Sequence, residues 1–305
     1  MAGPSPHRGP WAQGSPGRIG GLGVQGHRGA KGLVVENTVP SVLAALEVGA
    51  HGIEIDVRLT ADGEVVVWHD ATLLPDKIVA PDPALVGARV ALLTYEQLAA
   101  VDVGARTLPD YPRQKAVPGT RIPTFPELLE ASAALGHAPL WTIEIKVDPR
   151  DPAEVAGRER LVGRVVDQVN AAGIGDRCLI HSFDWSVLDL ARELEPALRR
   201  SALAIVGRTW ASGSPWTGST SYEEHDGDLP AAVAAIGAHV VAPHYASVDQ
   251  ELVDRAHGLG LAVLPWTVNS EDDIRAMAAI GVDGIVTDYP DVALELVGSA
   301  GVEPG

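Results

Sequence analysis

Between Gly26 and Asp70 the chain reads GHRGAKGLVVENTVPSVLAALEVGAHGIEIDVRLTADGEVVVWHD, and most of its chemistry is concentrated there. His27 and His69 are two imidazoles that can take and give protons near neutral pH. Arg28 supplies a planar guanidinium fork that matches phosphate oxygens. Glu36 could hold that arginine in place, its plainer role being a solvated loop glutamate. Side chains alternate along a strand, so in Ile53-Glu54-Ile55-Asp56-Val57 the two carboxylates share one face and the aliphatics take the other. The same holds in Ile143-Glu144-Ile145-Lys146, where Glu144 and Lys146 face together. Inward carboxylates must be neutralised. One alone could simply pair with Arg58 or Lys146. The pattern recurring on two strands favours a hard, oxygen-seeking divalent cation, Ca²⁺ or Mg²⁺, held by Glu54, Asp56 and Glu144. Two imidazoles, a phosphate fork and such a cation together suit phosphodiester cleavage, which needs one proton removed from a nucleophile and another delivered to a leaving oxygen.

Short β-rich runs alternating with amphipathic stretches must position these groups. The expected strands are Gly23–Gly26, Ile53–Leu59, Leu140–Val147, Cys178–His181, Arg200–Ile205, His239–Pro243, Leu261–Val268 and Gly284–Asp288. A further strand, Glu64–His69, turns back on the second through Asp62-Gly63. Helices are expected from Thr38 to Gly49, Phe125–Leu135, Pro152–Ala172, Ser186–Leu194, Leu229–Ile236, Val248–Gly258, Glu271–Ile280 and Pro290–Val297, with Val206–Asp228 a long loop. Eight βα units point to an eight-stranded parallel β/α barrel of the TIM type. No Gly-rich dinucleotide fingerprint follows the first strand, which disfavours an open doubly wound sheet. In such a barrel, chemistry gathers at the C-terminal strand ends, where His27, Asp56, His69 and Glu144 fall.

Residues 71–121 break the rhythm with Pro75, Pro81, Pro83, Pro109, Pro112 and Pro118 and one short helix near Tyr95–Val101. They read as a small insertion beside the site. The domain scheme is therefore a disordered tail over 1–21, a barrel over 22–297 carrying that insertion, and a short tail over 298–305. The 305 residues are 46% hydrophobic and 21% charged, enough for a sizeable core. A formal charge of −17 argues against nucleic acid as a partner, and any anionic substrate must then be met by a local cation. Neither a secretory leader nor a membrane-spanning run is seen, so a cytoplasmic protein is expected. The single Cys178 excludes an internal disulfide and a thiolate-rich metal site.

The ordered motifs resemble the glycerophosphodiester phosphodiesterase family. They are His27-Arg28-Gly29, Glu36-Asn37-Thr38, Glu54-Ile55-Asp56-Val57, Thr60-Ala61-Asp62-Gly63, His69-Asp70, Glu144-Ile145-Lys146, Ser182-Phe183-Asp184, Trp266-Thr267-Val268-Asn269 and the run from Gly281 to Pro290. The resemblance implies a barrel hydrolase with His27 and His69 as acid–base pair and Glu54, Asp56 and Glu144 as metal ligands. It implies Arg28 on phosphate with Lys146 assisting, and Phe183 and Trp266 lining the pocket. Its substrates would be small glycerophosphodiesters, cleaved to glycerol 3-phosphate and an alcohol. A phospholipase acting on lysophospholipids or inositol phospholipids remains open, favoured by a hydrophobic rim on the insertion or on the Trp210–Tyr222 loop. So does a non-catalytic barrel that binds a phosphorylated ligand. After His69-Asp70-Ala71-Thr72-Leu73 the chain departs from the family's usual Arg-Thr-Thr-rich continuation, leaving the alcohol group undefined. The spacing does not say which histidine is the acid, nor does it give an oligomeric state.

Overall fold

The computed structural model describes residues 22–134, 136 and 138–299. The tail expected over 1–21 lies outside them, as do Leu135 and, beyond Ser299, the tail expected at the other end. The strands are β1 (Gly23–Gly26), β2 (Gly52–Leu59), β3 (Val65–Val67), β4 (Leu140–Ile145), β5 (Cys178–Ser182), β6 (Arg199–Ala204), β7 (Val240–Pro243), β8 (Ala262–Val263) and β9 (Gly284–Thr287). The helices are α1 (Val39–Glu47), α2 (Tyr95–Ala99), α3 (Phe125–Ala133), α4 (Pro152–Ala171), α5 (Trp185–Leu194), α6 (Leu229–Ala235), α7 (Gln250–Gly258), α8 (Glu271–Ala279) and α9 (Pro290–Ser299). The strand order is β8-β7-β6-β5-β4-β2-β1-β9, all parallel, with β3 paired antiparallel to β2 off that path. The seam between β8 and β9 is carried by backbone bonds from Asp283 to Val263 (3.0 Å), Val286 to Pro265 (3.0 Å) and Val268 to Val286 (2.9 Å). The fold is thus a parallel β/α barrel. Among the described residues no helix is long and apolar enough to cross a membrane.

The expected strand Leu261–Val268 is regular only over Ala262–Val263. Pro265 has no N–H to give to a ladder, so pairing beyond it falls to single bonds and an isolated His244–Trp266 bridge. At the far end α9 runs through Ser299, past the expected stop at Val297.

Alternation along the strands builds two layers. Ile53, Ile55, Val57, Ile143, Ile145 and Ile180 pack in one buried cluster with Leu161, Val162 and Val165 of α4 and Leu188 of α5. The intervening positions face inward, where Leu179, Leu203, Val240, Ala242, Leu264 and Val286 form a second, smaller cluster. Register then fixes the site: Asp56 lies beside Glu144, and Glu144 beside His181.

The largest buried side chains include Trp185 at the start of α5, which stacks on Trp210 at 5.4 Å and donates to the Leu203 carbonyl at 3.0 Å. Trp185→Ala is expected to cost about 3–5 kcal/mol, from lost contact and the cavity left behind, measurable by urea unfolding. Tyr222 also packs against Trp210, at 5.3 Å, and both join the main core; of that loop's aromatics Trp216 reaches the site, edge-on to Phe183 at 6.2 Å.

The segment after β3 has its own core. Leu73, Ile78, Leu85, Val90, Leu98, Val101 and Val103 bury together with Val66, Trp68 and Ile122. A bridge between Val79 and Asp102 and the capped helix α2 organise its chain. Its last stretch docks on the loop after β1, with Lys115 N–H bonded to the Leu33 carbonyl (2.8 Å) and the Gln114 amide to the Lys31 carbonyl (2.8 Å).

Candidate active site

The loop after β1 is bent by two non-glycine residues in the left-handed region, Arg28 (φ 52°) and Asn37 (φ 55°). Such conformations are costly and persist where surrounding bonds fix them. Here the bend aims the Arg28 N–H at Glu54 Oε2 (3.0 Å), and Asn37 clasps Asp56, donating to Oδ2 (2.7 Å) and accepting from its N–H (3.2 Å). The loop closes so tightly that a Cβ on Gly26 would stand 2.0 Å from the Gly29 carbonyl oxygen.

Glu54, Asp56 and Glu144 meet in the barrel mouth, each offering a carboxylate oxygen within 4.8 Å of the others, and all three are buried. Arg58, a possible sink for Glu54, instead pairs with Glu154 (3.2 Å). Lys146 bridges Asp56 (2.9 Å) and Glu144 (2.6 Å), and Arg28 Nε lies 3.1 Å from Asp56. These cations do not balance the cluster. Burial and then the neighbouring Asp56 and Glu144 charges push the Glu54 carboxyl well above its ordinary range, while burial and Asp56 push Glu144 up to about 7 despite Lys146. Asp56 is held well below its ordinary value because Lys146 and Arg28 outweigh its burial. Three hard oxygen donors, two of them unable to ionise comfortably together, fit a divalent cation.

Each histidine is held by an aspartate through Nδ1. His27 Nδ1 is 2.6 Å from Asp288 Oδ1, and His69 Nδ1 is 2.9 Å from Asp70 Oδ1. Both carboxylates stay ionised, brought down to about 2: Asp288 by His27 and Lys31 and Asp70 by His69 and Lys77, in each case against burial. An anionic aspartate accepts the Nδ1 proton, which leaves Nε2 as the free, basic nitrogen. The Nε2 of His27 lies 3.9 Å from Glu54. Burial lowers both imidazoles, His69 to about 4, with Lys146 adding to the effect there.

Glu36 accepts from Arg28 Nη1 (2.7 Å) and pairs with Lys31 (3.1 Å) and Lys77 (2.9 Å), which together hold it ionised although buried. The acidic chain thus gathers Arg28, Lys31, Lys77 and Lys146 at one mouth. A cavity of about 330 Å³ lies between them, lined by His27, Arg28, Glu54, His69, Glu144 and Lys146 and closed by Phe183 and Trp266, whose rings meet edge-on at 5.3 Å.

Of the candidate site residues, His27, Arg28, Glu54, His69, Glu144, Lys146, Phe183 and Trp266 line this cavity, while Asp56 and Glu36 lie behind it, paired with Arg28. Several functional neighbours were not singled out. Asp288 ends an expected strand and Asp70 follows a singled-out histidine, so sequence position alone could have raised both. Asn37 gave no signal beyond its motif. His181, the last residue of an expected strand, is buried with Nδ1 against Ser201 Oγ (2.8 Å). Lys77 and Tyr111 come from the segment without periodicity. Conversely, Asp184 of the Ser182-Phe183-Asp184 motif faces away from the chemistry: it caps α5 and pairs with Arg158 (2.7 Å).

The profile of the Glycerophosphoryl diester phosphodiesterase family matches residues 27–292. A glycerophosphodiester phosphodiesterase of Bacillus altitudinis is 32% identical over 273 residues, covering 88% of this chain and 96% of the relative. One of Caldanaerobacter subterraneus subsp. tengcongensis is 29% identical, covering 90% and 97%. Among solved structures, a Silicibacter pomeroyi protein assigned as a glycerophosphoryl diester phosphodiesterase is 35% identical with a TM-score of 0.82, covering 95% of this chain and 97% of that one. An Oleispira antarctica phosphodiesterase, solved in complex with the product sn-glycerol-3-phosphate, shares the fold at 21% identity, with a TM-score of 0.71 and coverage of 90% and 96%. By its ordered motifs, its barrel and these relatives alike, the chain belongs to the glycerophosphoryl diester phosphodiesterase family.

Proposed function

We propose that the chain hydrolyses small glycerophosphodiesters to glycerol 3-phosphate and an alcohol, with His27 and His69 as the acid–base pair. The observation that carries this reading is the pair of aspartate-held imidazoles, each with Nε2 free, in one cavity with a buried carboxylate triad and the Arg28 fork. Glu54, Asp56 and Glu144 would hold Ca²⁺ or Mg²⁺, and such a cation supplies charge stabilisation to the phosphate and acidifies an attacking O–H.

The chain's own residues do the rest. Arg28, kept protonated by Glu36 and Asp56, presents N–H groups to the phosphate oxygens, and Lys146 adds a point charge. Phe183 and Trp266 cover the apolar side of the ligand. One Nε2 takes the proton of the attacking O–H as its oxygen forms the new P–O bond. The P–O bond to the alcohol breaks with its electron pair on the leaving oxygen, which takes a proton from the other imidazolium. Although both imidazoles are neutral at pH 7 in the free protein, an anionic phosphate against Nε2 raises that nitrogen's affinity for a proton.

The test is ³¹P NMR of glycerophosphocholine incubated with the protein and a divalent cation. Glycerol 3-phosphate as the phosphorus product supports the reading. An untouched diester alongside a cleaved lysophospholipid would favour the phospholipase instead. In the same assay Arg28→Lys is expected to raise the inhibition constant of glycerol 3-phosphate about tenfold, because an ammonium replaces a two-pronged fork.

A further inference from the structure

The two histidine-holding aspartates share a feature that the family motifs do not contain. Each is gripped from its far oxygen by one side chain of the segment inserted after β3. Lys77 Nζ donates to Asp70 Oδ2 at 2.7 Å, the oxygen opposite the one that faces His69. Tyr111 Oη donates to Asp288 Oδ2 at 3.2 Å, the oxygen opposite the one that faces His27. Asn269 shares that second oxygen at 2.7 Å.

We propose that Lys77 and Tyr111 are positioning residues, through which the inserted segment sets the orientation of both catalytic imidazoles at once. The inference rests on the acid–base roles of His27 and His69.

Three observations support it. First, the grips are rigid. Lys77 precedes Ile78, a buried member of the segment's own core, and its side chain is 13% exposed, with the ammonium held between Asp70 and Glu36. Tyr111 sits in a strap fastened by Gln114 and Lys115 to the loop after β1, its ring 4.7 Å from Lys31 Nζ and 6.5 Å from Tyr289. Second, a carboxylate can swing about its terminal torsion unless both oxygens are engaged, and here both are, on both aspartates. Third, the two grips come from one inserted segment, whose strap is tied back to the Lys77 stretch by Arg106 Nη1 on the Pro75 carbonyl (2.8 Å), so the geometry of the two imidazoles is linked through a segment that makes no motif of its own. Loss of such an outer partner ordinarily lowers activity by about 10–100-fold without removing a reacting group.

Lys77→Met and Tyr111→Phe, prepared in the full chain with saturating Mg²⁺ or Ca²⁺, test this on two substrates. Glycerophosphocholine has a leaving alcohol that must be protonated; the p-nitrophenyl ester of glycerol 3-phosphate has a leaving group that needs no proton. On glycerophosphocholine Lys77→Met is expected to lose about tenfold in kcat and Tyr111→Phe a smaller but measurable fraction, because Asn269 still holds the second Asp288 oxygen. KM stays within about twofold in both, and Lys77→Arg, which keeps a donor cation, recovers most of the loss. On the p-nitrophenyl ester one of the two variants, the one whose aspartate holds the general acid, returns to wild-type kcat while the other does not. That result also assigns acid and base. Wild-type kcat in either variant on glycerophosphocholine, or equal losses on both substrates in both variants, would overturn the proposal. His27→Ala and His69→Ala are run alongside. If these retain activity, the acid–base reading itself fails; if they are dead while Lys77→Met and Tyr111→Phe behave as wild type, only the positioning role fails.

Discussion

Replacing His27 or His69 with alanine is expected to lower kcat for glycerophosphocholine by about 10²–10⁴-fold each, the range that positioned proton transfer contributes. Neither imidazole is a structural keystone: His27 is tied by one side-chain bond to Asp288 and His69 by one to Asp70. The folding midpoint should therefore move little. KM should also stay near its wild-type value, since the proposed phosphate grip of Arg28 and Lys146 is left intact. The double variant should be scarcely slower than the worse single one, because proton removal and delivery belong to one transfer and their losses do not add. Pre-steady-state or single-turnover hydrolysis reads this directly. Additive losses would mean that the two histidines act independently and not in one transfer.

Removal of divalent cation is expected to have the next largest effect, abolishing turnover, and Glu54→Gln should reproduce it by weakening cation affinity about 10²-fold or more. Cation binding should also depend on pH with a definite sign. Burial and Asp56 raise the Glu144 carboxyl to about 7, and burial with its two acidic neighbours raises Glu54 as well. A cation competes with those protons, so its apparent affinity should fall as pH drops below about 7, with protons released on binding. The same shift enters stability. A carboxyl whose folded pKa lies above its unfolded value holds a proton the unfolded chain has lost, so the cation-free protein loses stability as pH rises from about 4.5 towards 7. His69, lowered to about 4 by burial and Lys146, works oppositely, adding stability as pH rises from 4 to 6.5. The difference between cation-loaded and cation-free melting curves isolates the carboxylates. At a fixed cation concentration 100 times the pH 8 dissociation constant it should approach about 2.7 kcal/mol at pH 8 and be smaller at pH 6.

The barrel and the core of its site were legible because both rest on short periods. Two-residue alternation in Ile53–Val57 and Ile143–Lys146 puts Glu54, Asp56, Glu144 and Lys146 on the inward face, and parallel register then brings Asp56 beside Glu144 without help from any loop. Eight repeats of strand and helix leave little choice of architecture. What escaped depends on contacts distant in sequence. Asp288 meets His27 only because β9 pairs with β1 at the closing seam of the ring, and Tyr111 reaches Asp288 across a strap with no periodicity at all. Lys77 lies in a proline-rich stretch whose buried positions follow an irregular chain, so nothing in its spacing announced an inward ammonium. The long strand expected over Leu261–Val268 failed for a local reason, the missing N–H of Pro265.

The central claim is that the chain cleaves a glycerol-linked phosphodiester through the free Nε2 atoms of His27 and His69, and that Glu54, Asp56 and Glu144 would hold the divalent cation this requires. It is tested most directly by release of glycerol 3-phosphate from glycerophosphocholine, using chelator-treated protein titrated with Mg²⁺ or Ca²⁺ at pH 8, side by side with Glu54→Gln. The expected result is no release without cation, saturable recovery on adding it, and a recovery curve for Glu54→Gln shifted about 10²-fold or more to higher cation concentration. Full release in the presence of chelator, or identical curves for the wild type and Glu54→Gln, would contradict it.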